Sequence, residues 1–250
     1  MGYVVYLLNI SQWLPKVNRE NSGLLLEDNS AQHALTLISK DRAEKVIRAK
    51  TPLGQAHSLG AGLLLQYVWQ MGQESSPENK KAYPERQLCF LSVEELLAYL
   101  QKYQPARIPL TYGPKGKPYF VEGTQYFSLS HSGDYVLCAV SEREIGADIQ
   151  QCKAGVKENL VKRVLTEAEL AKWQDLQETE LEKDASGVQC SGDALKYFYR
   201  KWTEKEAYGK LTGDGVFELL GQEKTPLCAV CLESSWELPG YCISLCQYDK

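Results

Sequence analysis

The stretch DALKYFYRKWTEKEAYGK, residues 193–210, is a helical pattern with one misplaced charge. At 100° per residue, Leu195, Phe198, Tyr199 and Trp202 form an apolar stripe, and Glu206, four residues beyond Trp202, falls at its centre. A carboxylate there has to be paired, hydrogen-bonded or metal-bound, because an unpaired buried one takes up a proton instead. Lys205 precedes it directly and Lys210 follows one turn later, so anion-binding groups flank an acid that can hold a cation.

Outward from this helix the chain changes period several times. Thr166, with Glu169 at the capping-box position, opens a helix expected to reach Gln177, and residues 178–192 read as a polar loop. Between residues 108 and 150 the apolar positions recur at short spacing, which predicts strands at 108–112, 118–121, 125–130, 134–141 and 144–150. Further back lie a strand at Tyr3 to Ile10, helices over 31–50 and 53–70, a polar loop over 73–85, and a helix opened by Ser92 with Glu94 and Glu95 in its first turn. Closing strands are expected from about Val216 onward. Strand, helices and strands thus occur twice, which predicts an α+β fold of two halves, residues 1–112 and 113–250, joined near Tyr112 to Lys117.

Composition excludes several classes. The 250 residues carry 28 basic and 32 acidic side chains, a net charge of −4, which argues against a protein that coats nucleic acid or an anionic membrane. The apolar run Tyr3 to Ile10 is too short to span a bilayer, and no small-residue cleavage site follows it, so a cytoplasmic protein is expected. Eight cysteines raise a zinc site built from Cys228, Cys231, Cys242 and Cys246. On a strand, CxxC spacing sends its two sulfurs to opposite faces, so reduced, buried cysteines are the expectation.

Two further segments carry chemistry. In IGADIQ, residues 145–150, alternation puts Ile145, Ala147 and Ile149 on a core face and Gly146, Asp148 and Gln150 on the other, with Gly146 leaving room for a ligand near Asp148. In FSLSHSG, residues 127–133, a hairpin turn is expected to display Ser130, His131 and Ser132. No GxSxG elbow accompanies them, so phosphate binding is favoured over acyl-enzyme chemistry. Basic residues gather at Arg42, Lys45, Arg48 and Lys50 and in the turn holding Lys115 and Lys117. Gly60-Ala-Gly62 lacks the rest of a dinucleotide fingerprint and reads as close helix packing.

Together GKPYF, FSLSHSG, IGADIQ and KWTEKEAYGK resemble the 4′-phosphopantetheinyl transferases of the two-halved Sfp type. The resemblance implies a pseudo-dimeric monomer of two similar α+β halves, each a small mainly antiparallel sheet packed by helices, with coenzyme A and Mg²⁺ in the cleft between them. It implies transfer of the phosphopantetheine arm to a serine of an apo acyl, peptidyl or aryl carrier protein, releasing adenosine 3′,5′-bisphosphate, in a holo-[acyl-carrier-protein] synthase type reaction.

Carried across by motif, Asp148 and Glu206 match the metal-binding acids and Lys205 and Lys210 match residues near the diphosphate. Lys117, Ser130 and His131 match other coenzyme A contacts, and Arg42, Lys45 and Ser58 match contacts to its nucleotide end. His57 stands where many members have arginine. Many bacterial members carry DxE on the strand; here Gln150 replaces the second acid, so it would ligate Mg²⁺ weakly or through water, with Mn²⁺ as an alternative ion.

Diphosphate cleavage needs a metal, cations and an aligned hydroxyl, but no enzyme nucleophile, in agreement with this inventory. The expected roles are proton acceptor for Glu206, or for a metal-bound water it holds, and stabiliser of the leaving phosphate for Lys210. Two rival readings use the same residues: a non-catalytic coenzyme A or carrier-binding module, and a metal-dependent phosphodiesterase.

Overall fold

The computed structural model describes residues 2–14, 28–74, 83, 85–105, 107–121, 125–185, 192–214 and 230–249. They fall into two compact units, Met1–Glu144 and Ile145–Lys250, each α+β. This division lies beyond the junction expected at 112–117.

In the first unit β1 (Tyr3–Asn9), β2 (Gln87–Leu91), β5 (Tyr126–Ser132) and β6 (Tyr135–Ser141) form a sheet in the order β2-β1-β6-β5. Strands β1 and β6 are antiparallel from Tyr3↔Ser141 to Asn9↔Tyr135, and β5 pairs antiparallel with β6, which ties both of these later strands to the N-terminal unit. Strand β2 joins β1 in parallel after the long helical crossover that parallel pairing requires. A separate ribbon pairs β3 (Leu110–Tyr112) with β4 (Pro118–Phe120).

The helix expected over 31–50 is two helices, α1 (Asn29–Thr36) and α2 (Lys40–Arg48). Asp28 caps α1 by accepting from the Ser30 and Ala31 amides, and Ser39 turns extended before α2, so that Leu37 and Ile38 between them are buried. Helix α3 (Pro52–Glu74) is buried nearly all round through its middle. A Cβ on its Gly60 would stand 2.9 Å from Val136 of β6, so this glycine permits helix-to-sheet contact, as the GAG reading expected. Helix α4 (Val93–Leu100) starts with the expected capping box between Ser92 and Glu95.

The second unit is an antiparallel sheet in the order β7-β9-β8, with β7 (Ile145–Gln151), β8 (Val230–Ser235) and β9 (Tyr241–Tyr248), packed by α5 (Glu158–Val164), α6 (Glu167–Ala185) and α7 (Asp193–Thr212). Helix α6 begins with the Thr166–Glu169 capping box but runs on through most of the expected loop, because Glu178 to Ala185 are mainly good helix formers. Residues 216–229 of the expected closing strands, and most of the loop placed at 73–85, lie outside the described residues. Among the described residues no helix is long and apolar enough to cross a membrane.

Gly146, Asp148 and Gln150 lie opposite Cys246, Ser244 and Cys242 in register, on the sheet face covered by α7. Cys242 and Cys246 are buried thiols packed against α7, as expected of reduced cysteines, whereas Cys228 and the Cys231 side chain lie outside the described residues. A Cβ at Gly146 would collide with the Ala207 carbonyl and stand 2.5 Å from the Leu211 amide. The space at Gly146 is therefore taken by the backbone of α7, not left for a ligand as the sequence suggested.

Candidate functional site

Helix α7 sits so closely on β7 that the two signature segments converge. Asp148 is 5 % exposed, and Lys210 donates to its Oδ1 at 2.7 Å. Glu206, one turn before Lys210, is half-buried; the apolar residues of α7 that enter the core are Ala194, Tyr197, Phe198, Tyr199, Ala207, Tyr208 and Leu211. Burial, followed by the Asp148 charge, lifts the Glu206 carboxyl from its ordinary range to about 7, with Lys210 pulling it back down. Two carboxyls and one ammonium thus meet at the β7–α7 contact, where a second negative charge is resisted.

That arrangement fits a divalent cation. Among the described residues no group of three or more His, Cys, Asp or Glu side chains is placed to hold a metal. Mg²⁺, however, commonly takes one or two carboxylates and completes its octahedron with water and substrate phosphate. Asp148 and Glu206 supply that number, and the repulsion by Asp148 that adds to burial in raising Glu206 is what a cation would relieve. The Gln150 side chain is half-buried, and its amide nitrogen makes a long 3.4 Å contact with the neighbouring Gln151 carbonyl.

Lys205 behaves differently from the sequence expectation. Its ammonium is buried, donating to the Val164 carbonyl at 2.7 Å and pairing with Glu169 at 2.5 Å. Near the carboxyl pair α7 is also held by Thr203, whose hydroxyl lies 2.7 Å from that of Ser244, the residue opposite Asp148 on β9. No motif marked this contact; its only trace in the sequence is a serine in the otherwise apolar run YCISLC.

In the first unit, Arg42 and Lys45 of α2 line a cavity of about 430 Å³ closed by Leu65, Arg107, Ile108 and Tyr112. The Arg42 Nε is buried with no hydrogen-bond partner among the described residues. Burial lowers the pKa of both side chains, and for Lys45 the neighbouring Arg42 charge adds to the effect. Two adjacent cations with a buried donor suit an anion, with Asp41, 3.5 Å from Arg107, as the acid that also lines the cavity. Arg107 and Tyr112 carry no sequence signal for this cavity.

The hairpin expected to display Ser130, His131 and Ser132 turns later than expected. All three belong to β5, opposite Leu137, Val136 and Tyr135, and the turn is Gly133-Asp134, with Gly133 at φ +52°. Ser130 and Ser132 are buried, while His131 is exposed and stacks on His57 of α3 at 4.3 Å between ring centres. His57 Nε2 donates to the Gly133 carbonyl at 2.8 Å, which fixes its tautomer, and burial lowers its pKa. Ser58 is half-buried on α3, and the Lys117 ammonium lies 5.2 Å from the Tyr119 ring centre.

A small α+β unit that opposes an acid on a strand to an acid and a lysine one turn apart on a helix has the parts of a metal-dependent phosphoryl-group enzyme. Residues 144–237 match the family model of the 4′-phosphopantetheinyl transferase superfamily. The 4′-phosphopantetheinyl transferase HetI of Nostoc sp. is 30 % identical over 191 residues, 74 % of each chain. A putative 4′-phosphopantetheinyl transferase of Synechocystis sp. is 36 % identical over 137 residues, 53 % of this chain and 50 % of that one. The 4′-phosphopantetheinyl transferase Sfp of Bacillus subtilis is 33 % identical over 91 residues, 36 % of this chain and 34 % of its own. The chain belongs to the 4′-phosphopantetheinyl transferase superfamily.

Proposed function

We propose that this protein transfers the 4′-phosphopantetheine arm of coenzyme A to a serine of an apo carrier protein and releases adenosine 3′,5′-bisphosphate, a holo-[acyl-carrier-protein] synthase type reaction. The observation that carries the reading is the meeting of Asp148, Glu206 and Lys210 at the β7–α7 contact, within the segment that matches the family. The pseudo-dimeric arrangement, with similar halves and a shared substrate cleft, belongs to the same proposal, as do a monomeric state and a cytoplasmic location.

Asp148 and Glu206 would hold Mg²⁺, with Mn²⁺ as an alternative, and Gln150 would assist weakly or through water. Bound there, the ion would neutralise charge on the diphosphate. Lys210 binds the phosphate that leaves with the nucleotide and opposes the charge that grows on it. Glu206, or a water it holds, takes the proton of the incoming serine hydroxyl. No nucleophile from the enzyme is required. Arg42, Lys45 and Ser58 bind the nucleotide end, with Lys117, Ser130 and His131 as further contacts. Ser130 is buried and so serves through the shape of β5 more than through an open hydroxyl. Lys205, matched by motif to the diphosphate, is engaged with Val164 and Glu169.

The test is product analysis with coenzyme A, Mg²⁺ and an apo carrier. Release of adenosine 3′,5′-bisphosphate only when carrier is present supports the transferase reading. Equal release without carrier would indicate a phosphodiesterase, and coenzyme A binding without release across several carriers would indicate a binding module.

A further inference from the structure

Lys205 is 4 % exposed, and its ammonium bridges two helix ends. Its acceptor Val164 is the last residue of α5, and its partner Glu169 is the capping-box residue that starts α6. A cation on a terminal helix carbonyl is favourable, and the carboxylate that closes the α6 cap neutralises it. Lys205 is therefore fastened to the α5–α6 turn while its neighbour Glu206 belongs to the carboxyl pair.

Besides the Lys210–Asp148 pair and a Glu204–Ser234 contact, three anchors hold α7 around Glu206. Thr203 bonds Ser244 on β9, and Ala207 and Leu211 rest on the bare backbone of Gly146 on β7. Both of these lie on the sheet side of the helix. The third is Lys205, about 100° around the helix from Glu206, and its tie to the α5–α6 turn resists rotation of α7 about its own axis. Side-chain ends lie about 5–6 Å from a helix axis, so a rotation of about 10° moves a carboxylate by about 1 Å. A displacement of that size is enough to cost a reacting site about 100-fold.

We propose that Lys205 is a positioning residue: through Val164 and Glu169 it fixes the rotation of α7 and so sets Glu206 against Asp148, without touching substrate. This rests on the reading that Asp148 and Glu206 hold the divalent ion. It assigns to Lys205 and Glu169 a role in metal affinity that neither plays by ligation.

The experiment is Mn²⁺ binding to the whole protein, read by loss of the free-ion paramagnetic signal, alongside urea unfolding. Lys205→Met combined with Glu169→Gln removes the buried pair without stranding a charge, and the glutamine can still close the α6 cap. Thr166→Ala weakens that same cap but leaves the Lys205–Glu169 pair in place. The expected result is a Mn²⁺ affinity about 10-fold weaker in the double variant, as for loss of an outer partner of a metal ligand, and unchanged in Thr166→Ala. The KM for coenzyme A is expected to stay within about 3-fold while kcat falls about 10-fold or more, since the lost geometry serves the reacting centre.

Wild-type Mn²⁺ affinity in the double variant, or an equal loss in Thr166→Ala, would overturn the positioning role and leave the metal reading standing. Wild-type Mn²⁺ binding in Asp148→Asn would instead overturn the metal reading, and this inference with it.

Discussion

Lys210 Nζ lies 2.7 Å from Asp148 Oδ1, joining residues 62 positions apart across the contact of α7 with β7. The aspartate side chain is 7 % exposed and the lysine 30 %, so the pair is screened from water mainly on the carboxylate side. Replacing Lys210 with Met leaves that carboxylate without its cation. Transfer is expected to fall about 100-fold or more, as when one preorganised charge donor to a transition state is removed. Stability is expected to fall by about 1–2 kcal/mol, within the range of a charged hydrogen bond. Steady-state kinetics and urea titration read the two effects separately.

Glu206 gives a pH dependence of definite sign. Its folded pKa of about 7 is raised above the ordinary 4.5, so the folded state binds more protons than the unfolded chain between those values. In the absence of divalent ions, stability is therefore expected to fall as pH rises from about 4.5 to about 7, and Glu206→Gln is expected to flatten that decline. Mn²⁺ affinity runs the other way, rising with pH until the carboxyl is ionised. Unfolding curves in chelator and ion titrations at several pH values check both slopes.

Gly146→Ala tests the contact itself. The added methyl meets the backbone of Ala207 and Leu211, which cannot rotate away as a side chain would. We expect a loss of about 3 kcal/mol, the upper end of ordinary overpacking, and a weaker Mn²⁺ affinity in whatever folds. A variant as stable as the parent would show that α7 does not rest on β7 at this distance.

Arg42 and Lys45 predict a different kinetic signature. They lie in the cavity of the first unit and serve the nucleotide end of the substrate in the proposed reaction. Arg42→Ala is expected to raise the KM for coenzyme A about 10-fold or more while changing kcat little, the pattern of lost uniform binding. Stability should change by less than about 1 kcal/mol, because the lost guanidinium has a buried Nε with no partner among the described residues to leave behind.

How much of this could be read in the sequence depended on how far apart the interacting residues lie. The capping boxes at Ser92–Glu95 and Thr166–Glu169 are three-residue devices, and both are present where the spacing placed them. The convergence of Asp148, Glu206 and Lys210 was legible through the joint motif, although the apolar stripe put Glu206 deeper than the structure does. The break at Leu37 to Ser39 was hidden because the residues on either side continue a helical period. Ser130 to Ser132 were assigned to a turn, yet strand pairing with β6 carries them on to Gly133, where positive φ begins the reversal. Gly146 marks a site of close approach in the sequence, but what approaches, the backbone of α7, is visible only once the helix is packed. The fate of Lys205 was beyond local inspection because its partner lies 36 residues away.

The most direct test of the central claim is the intact mass of an apo carrier protein after incubation with this protein, coenzyme A and Mg²⁺, beside a chelated sample and the Glu206→Gln variant. The account predicts a gain of one phosphopantetheine in the complete reaction and none in the other two. A full gain with Glu206→Gln, or in the presence of chelator, would contradict it.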